Sequence, residues 1–237
     1  MSTIFETVRK TLKAQGNVAV RESSKRFFKE GQKVKFYGVK SAQVRQIAKT
    51  YFGEVKVLPK EEVFLLAESF LQTGYFEEMS IACEWVHQLH KDFKPKDWTI
   101  FDHWIEAHIK NWATCDAFCN HTVGTFLEMY PQYVKKLPGW AKSKNLWKRR
   151  AAAVSLVIPA RKGLFHEVVF GLAEILLLDS EDMVQKGYGW MLKEASHADQ
   201  QAVFDFVMKH KAVMPRTALR YAIEKMPKEL KERAMAR

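Results

Sequence analysis

The sequence predicts an all-α chain, a curved solenoid of antiparallel helix pairs with a basic concave face. Three observations predict it. Apolar residues recur at helical spacing along nearly the whole chain, breaker residues fall between them at close intervals, and Lys and Arg crowd into two regions.

The elements follow in order. The opening "MSTIFETVRKTLKAQG" is charged throughout and stops at Gly16-Asn17. Val34–Val39 hints at extended chain but is too short to found a sheet. Ser41 reads as a helix N-cap. Val63, Leu66, Ala67, Phe70 and Leu71 mark one apolar stripe, and Ile81, Trp85, Val86 and Leu89 mark the next. Ser180 reads as another cap, with Glu181 and Asp182 in the first turn behind it, where carboxylates suit the helix dipole. Val203, Phe206, Val207 and His210 form a third stripe, and Ala218, Tyr221, Ala222 and Lys225 a fourth. Gly31, Gly53, Pro59, Gly74, Pro95, Pro131, Pro138-Gly139, Pro159, Gly163 and Pro215 punctuate the intervals.

The helices left between these marks run to roughly 10–16 residues and come in pairs about 35–40 residues apart, the period of a HEAT or armadillo array. No exact internal repeat is visible, so divergent HEAT-like pairs fit better than a consensus array. A compact helical bundle is the alternative. Residues 1–237 read as a single HEAT-like repeat domain. A short solenoid curves, and its inner face is a cradle for a rod such as duplex DNA.

Bulk composition narrows the partner. The chain has 237 residues, 47% of them hydrophobic, which is enough for a continuous core. Its net charge is +11 with a pI near 9.5, which favours DNA, RNA or an anionic membrane surface. Residues 1–60 hold 14 Lys and Arg against four Glu, and Trp140–Arg150 holds five more with no acid. Two concentrated regions point to a phosphate-binding face. Cys83, Cys115 and Cys119 cannot build a disulfide framework and suit a reducing cytosol. The N-terminus lacks the apolar core of a signal peptide. The longest apolar stretch, Val168–Leu178, is broken by Gly171 and Glu174 and falls short of the ~20 residues of a membrane span. The expectation is a cytoplasmic monomer without membrane association.

The stretch "NWATCDAFCNH" (Asn111–His121) carries two incompatible chemistries. Cys115, Cys119 and His121 have ligand types that zinc accepts, but a structural site wants four ligands and no second Cys/His cluster completes it. His103 and His108 lie nearby at a spacing that is neither HExxH nor CxxC. No metal and no cofactor is expected. In the second reading, Trp112 and Asp116 project from one face of a helix at i and i+4. An indole face attracts cations, and a carboxylate stabilises positive charge developing as a bond breaks. The plain alternative is an indole packed in the core beside a capping or ion-paired Asp.

Two further stretches matter. "SKNLWKRRAAAVSL" sets Lys148, Arg149 and Arg150 ahead of a small apolar helix body, where one of the three can turn inward and the others stay on the rim. "MVQKGYGWMLKEAS" holds Gly187 and Gly189 inside a helical pattern, at a cost of roughly 1 kcal/mol each against alanine. Either something approaches the backbone beside Trp190, or another helix packs closely there.

Together these stretches resemble the AlkD-type alkylpurine DNA glycosylases, which are built from HEAT-like repeats. The resemblance runs from "FYGVKSAQVRQIAK" (Phe36–Lys49) through "NWATCD" and "NLWKRRAA" to "QKGYGWMLKEA" (Gln185–Ala195), in matching order and separation. It implies a lesion site of Trp112, Asp116, Arg150 and Trp190 and excision of cationic N3- or N7-alkylated purines from duplex DNA, without a cofactor. Asp116 would stabilise the sugar cation and orient water, the two indoles would flank the sugar-phosphate, and Arg150 would hold a phosphate. Lys144, Lys148, Arg149, Lys186 and Arg45 would supply salt-dependent affinity. The resemblance also implies that the lesion is read from the backbone side, without a base-specific pocket. The family's DNA-approaching Tyr near the N-terminus is replaced in "KRFFKEG" by Phe27 or Phe28, and the segment before "FYGV" is longer by a residue or two. The competing readings are a non-catalytic helical-repeat protein that binds damaged or branched DNA and, more distantly, a protein scaffold.

Overall fold

The computed structural model describes residues 3–28 and 34–236, so Gly31 and the lengthened segment before "FYGV" lie outside the described residues. Every regular element among them is helical, with one isolated parallel bridge between Lys35 and Tyr75. The chain divides into two compact units, Met1–Phe118 and Cys119–Arg237.

The first unit contains α1 (Thr3–Ala14), α2 (Val18–Lys25), α3 (Ser41–Val55), α4 (Lys60–Thr73), α5 (Phe76–Gln88), α6 (Asp97–Ala107) and α7 (Trp112–Ala117). Helix α5 packs on α3, α4 and α7, and α1 packs on α3. The stripes expected from periodicity are its core: Val63, Phe70, Ile81 and Trp85 are all fully buried. The extended stretch before α3 is tied down by one side chain. Glu77 accepts hydrogen bonds from the backbone N–H groups of Tyr37 (3.2 Å), Gly38 (2.8 Å) and Val39 (3.1 Å). Gly38 sits at φ 87°, and a Cβ there would lie 2.2 Å from the Asn17 carbonyl oxygen, so no other residue fits.

The second unit contains α8 (Gly124–Met129), α9 (Leu137–Ala141), α10 (Leu146–Val154), α11 (Val157–Arg161), α12 (His166–Ile175), α13 (Asp182–Ala195), α14 (Gln200–His210), α15 (Arg216–Ala222) and α16 (Lys228–Met235). Helix α13 is its hub and packs on α10, α11, α12, α14 and α15. Gly189 explains one of these contacts. A Cβ there would stand 2.8 Å from the Ala218 carbonyl oxygen and 2.7 Å from the Tyr221 Cβ, so the missing side chain lets α13 and α15 touch. Gly187 makes room in the same way for Arg150, whose Cγ would lie 3.3 Å from an added Cβ. Of the two explanations open for these glycines, close packing is the one observed.

Two expected caps differ from the structure. Ser41 is the first residue of α3, and Lys40 holds the cap position without a side-chain bond. Helix α13 starts after Glu181, while Asp179 rather than Ser180 accepts the Glu181 N–H, at 2.9 Å. Side-chain caps occur instead at Asn17, Asn111, Asn145 and Asp199. No helix among the described residues is long and apolar enough to cross a membrane.

Candidate functional site

In the first unit, Asn111 builds the turn that presents Trp112 and Asp116. Its own side chain is buried and accepts the Thr114 N–H at 2.9 Å, which caps α7 and sets Trp112 as its first residue. Asp116 follows one helical turn later, and both residues are half-buried. The indole is oriented twice over. Its Nε1 donates to the Phe27 carbonyl at 3.1 Å, and its ring stacks on Phe28 with centroids 5.8 Å apart and planes 25° apart. Of the two adjacent phenylalanines, Phe28 is packed among Phe36, Phe76 and Trp112, whereas Phe27 is 70% exposed.

The thiols of "NWATCDAFCNH" stand differently. Cys115 and Cys119 are buried and His121 is exposed. Burial, followed by the neighbouring Cys115, pushes the Cys83 thiol up to about 12, so it is an inert core group.

In the second unit, Arg150 is the member of its basic triplet that turns inward, at 5% exposure, and it donates to the Met183 carbonyl. Arg149 behaves unlike a rim cation. Its guanidinium grips Asp179 with Nε (2.6 Å) and Nη2 (3.2 Å) and donates through Nη1 to the carbonyls of Ser143 (3.0 Å) and Lys144 (3.1 Å). Lys148 is half-buried and Lys144 exposed. Trp190 is half-buried, with Nε1 donating to Glu194 at 3.1 Å. Glu194 also receives Arg161 at 3.2 Å, so one carboxylate joins the indole N–H and a guanidinium. Lys186 pairs with Asp182 at 2.9 Å.

Charge in the first unit gathers in places that sequence reading only half located. Arg45 and Lys49 of α3, with Phe52, Trp85 and Gln88, line a groove of about 420 Å³. A second recess, about 390 Å³, is lined by Arg9, Lys13, Arg21, Tyr37 and Tyr75 among others. Its floor is a stacked pair, Tyr37 on Tyr75, at 4.2 Å and 14°. The basic N-terminal run was visible in the sequence. The aromatic floor was not, because the Lys35–Tyr75 bridge assembles it across about 40 residues.

Comparison with known proteins decides the family. The family model described as DNA alkylation repair enzyme matches residues 8–226. The chain belongs to the DNA alkylation repair enzyme family. No curated protein matches it. A solved structure described as a predicted DNA alkylation repair enzyme from Enterococcus faecalis shares the fold, with a TM-score of 0.80 at 18% identity, over 90% of this chain and 98% of that one. Family membership makes DNA the substrate and repair of alkylation damage the role of this DNA alkylation repair enzyme.

Proposed function

We propose that the chain is a monofunctional DNA glycosylase of base excision repair. It hydrolyses the N-glycosidic bond of cationic N3- and N7-alkylated purines, such as 3-methyladenine and 7-methylguanine, in duplex DNA, and works as a single HEAT-like repeat domain. The observation that carries this reading is the α7 turn, where a carboxylate stands one helical turn from an indole whose plane is set by Phe27 and Phe28.

The chemistry suits these residues. An alkylated cationic purine departs neutral, so its leaving needs no general acid. What remains is the positive charge growing on the sugar and the delivery of water to C1′. Asp116 meets both needs, electrostatically and by orienting the nucleophile. Trp112 and Trp190 offer π-faces to the cationic sugar. Arg150, with one arm oriented by the Met183 carbonyl, contacts a backbone phosphate. Lys144, Lys148, Lys186 and Arg45, joined by Lys13 and Arg21 of the aromatic-floored recess, supply sequence-independent affinity. The exposed ring of Phe27 packs on the duplex beside Trp112. Arg149, bonded to Asp179 and to the carbonyls of Ser143 and Lys144, contributes by supporting the turn that carries Lys144.

The test is release of 7-methylguanine from methylated duplex DNA. Wild type is expected to release it, and Asp116→Asn to release it about 100- to 1,000-fold more slowly with duplex affinity nearly unchanged. Tight binding of DNA by wild type without release would overturn the glycosylase reading and leave a non-catalytic DNA-binding protein.

A further inference from the structure

Away from the candidate DNA site, and against the expectation of no metal, α4 and α6 bring three metal-type donors together: Glu68 joins His103 and His108, whose spacing in sequence matches no metal motif. Glu68 lies on α4, His103 lies on α6, and His108 caps the C-terminus of α6. Their donor atoms all fall within 4.8 Å of one another. The Nε2 atoms of His108 and His103 lie 3.1 Å and 3.5 Å from the same Glu68 oxygen, Oε1. The two rings meet almost at right angles, 87°, with centroids 5.6 Å apart. We infer that Glu68, His103 and His108 form a coordination site for a divalent cation of the zinc class.

Two of the three donor separations match what such a cation requires, and the third lies within 4.8 Å. Ligand atoms placed about 2.0–2.1 Å from a tetrahedral zinc stand about 3.3 Å apart, and 3.1 Å and 3.5 Å bracket that edge. The donor set is selective as well. Two imidazoles and one carboxylate suit zinc, nickel or copper, whereas calcium and magnesium take oxygen ligands. His103 is 61% exposed, so solvent water completes the fourth position.

The ligands also stand on a rigid base. Phe64 of α4 packs edge-on against Trp104 of α6 at 5.5 Å and meets Phe101 at 5.8 Å. The His108 backbone N–H is tied to the Trp104 carbonyl at 2.8 Å. Glu68 and His108 are mostly buried, so little side-chain freedom remains to be lost on binding. A bound ion cross-links α4 to the end of α6 and stabilises the folded unit. This site is independent of the glycosylase reading, and its test does not involve DNA.

Zinc is titrated into protein carrying no polyhistidine tag, followed by calorimetry and by competition with a chelating dye. Cobalt(II) serves as the spectroscopic probe. One equivalent of zinc is expected to bind at micromolar level or tighter, to raise Tm reversibly on chelation, and to be replaced by cobalt with a visible tetrahedral band. His103→Ala, exposed enough to leave the fold intact, and Glu68→Gln are each expected to weaken binding by at least about 100-fold. Absence of binding at micromolar zinc would overturn the site. So would unchanged affinity in the His103→Ala/His108→Ala double variant, which would mark an adventitious surface ion.

Discussion

Arg149 and Arg150 are neighbours in the chain and serve opposite ends. The fork of Arg149 is spent on Asp179, whose side chain is only 7% exposed, and on two loop carbonyls. Removing one partner of a buried pair strands the other, so Arg149→Ala is expected to cost about 3 kcal/mol, read as a lowered midpoint in urea unfolding. Under the proposed glycosylase reading, Arg150→Ala is expected to weaken both duplex affinity and excision, because it removes the proposed phosphate contact. Arg150→Lys keeps the charge but loses the planar fork, and should recover affinity more than turnover. Equal affinity and undiminished turnover in Arg150→Ala would remove the residue from the site. Sequence reading anticipated that one of the triplet turns inward. It could not see Asp179, which lies 30 residues on and reaches Arg149 only through packing of the second unit.

At the scale of the element, α13 shows why a helix tolerates two glycines. The carbonyl of Ala218 and the Cβ of Tyr221 occupy the space beside Gly189, and backbone on α15 cannot give way as a flexible side chain would. Gly189→Ala is therefore expected to destabilise the protein by about 2 kcal/mol despite its better helix propensity, measured by chemical denaturation. A gain in stability would show that α15 can move aside. Helix boundaries were the least legible part of the sequence. A serine near a helix start satisfies the cap preference at either of two neighbouring positions, and only the backbone angles separate them, as at Ser41. The apolar stripes were legible because a period of 3.6 residues is written within a single turn.

For the whole molecule, charge is the dominant property. With a net charge of +11, affinity for undamaged duplex DNA is expected to fall steeply with salt. The Lys13→Ala/Arg21→Ala pair should reduce the log–log slope by about 2, roughly one per phosphate contact, while Asp116→Asn leaves it unchanged. Fluorescence anisotropy across a salt series measures both. An unaltered slope in the double variant would take the recess out of the DNA interface.

The sequence by itself determined the helical class, the positions of the apolar faces, the excess of positive charge and the residue types of the α7 turn. These are local quantities, set by neighbours a few residues apart or by simple summation. Tertiary structure alone decided which side chains meet: Glu77 gathering the amides of residues 37–39, Arg149 closing on Asp179, and Glu68 facing His103 and His108. Partners such as these lie about 30–40 residues apart. Their meeting depends on how whole helices pack, and no local periodicity records that.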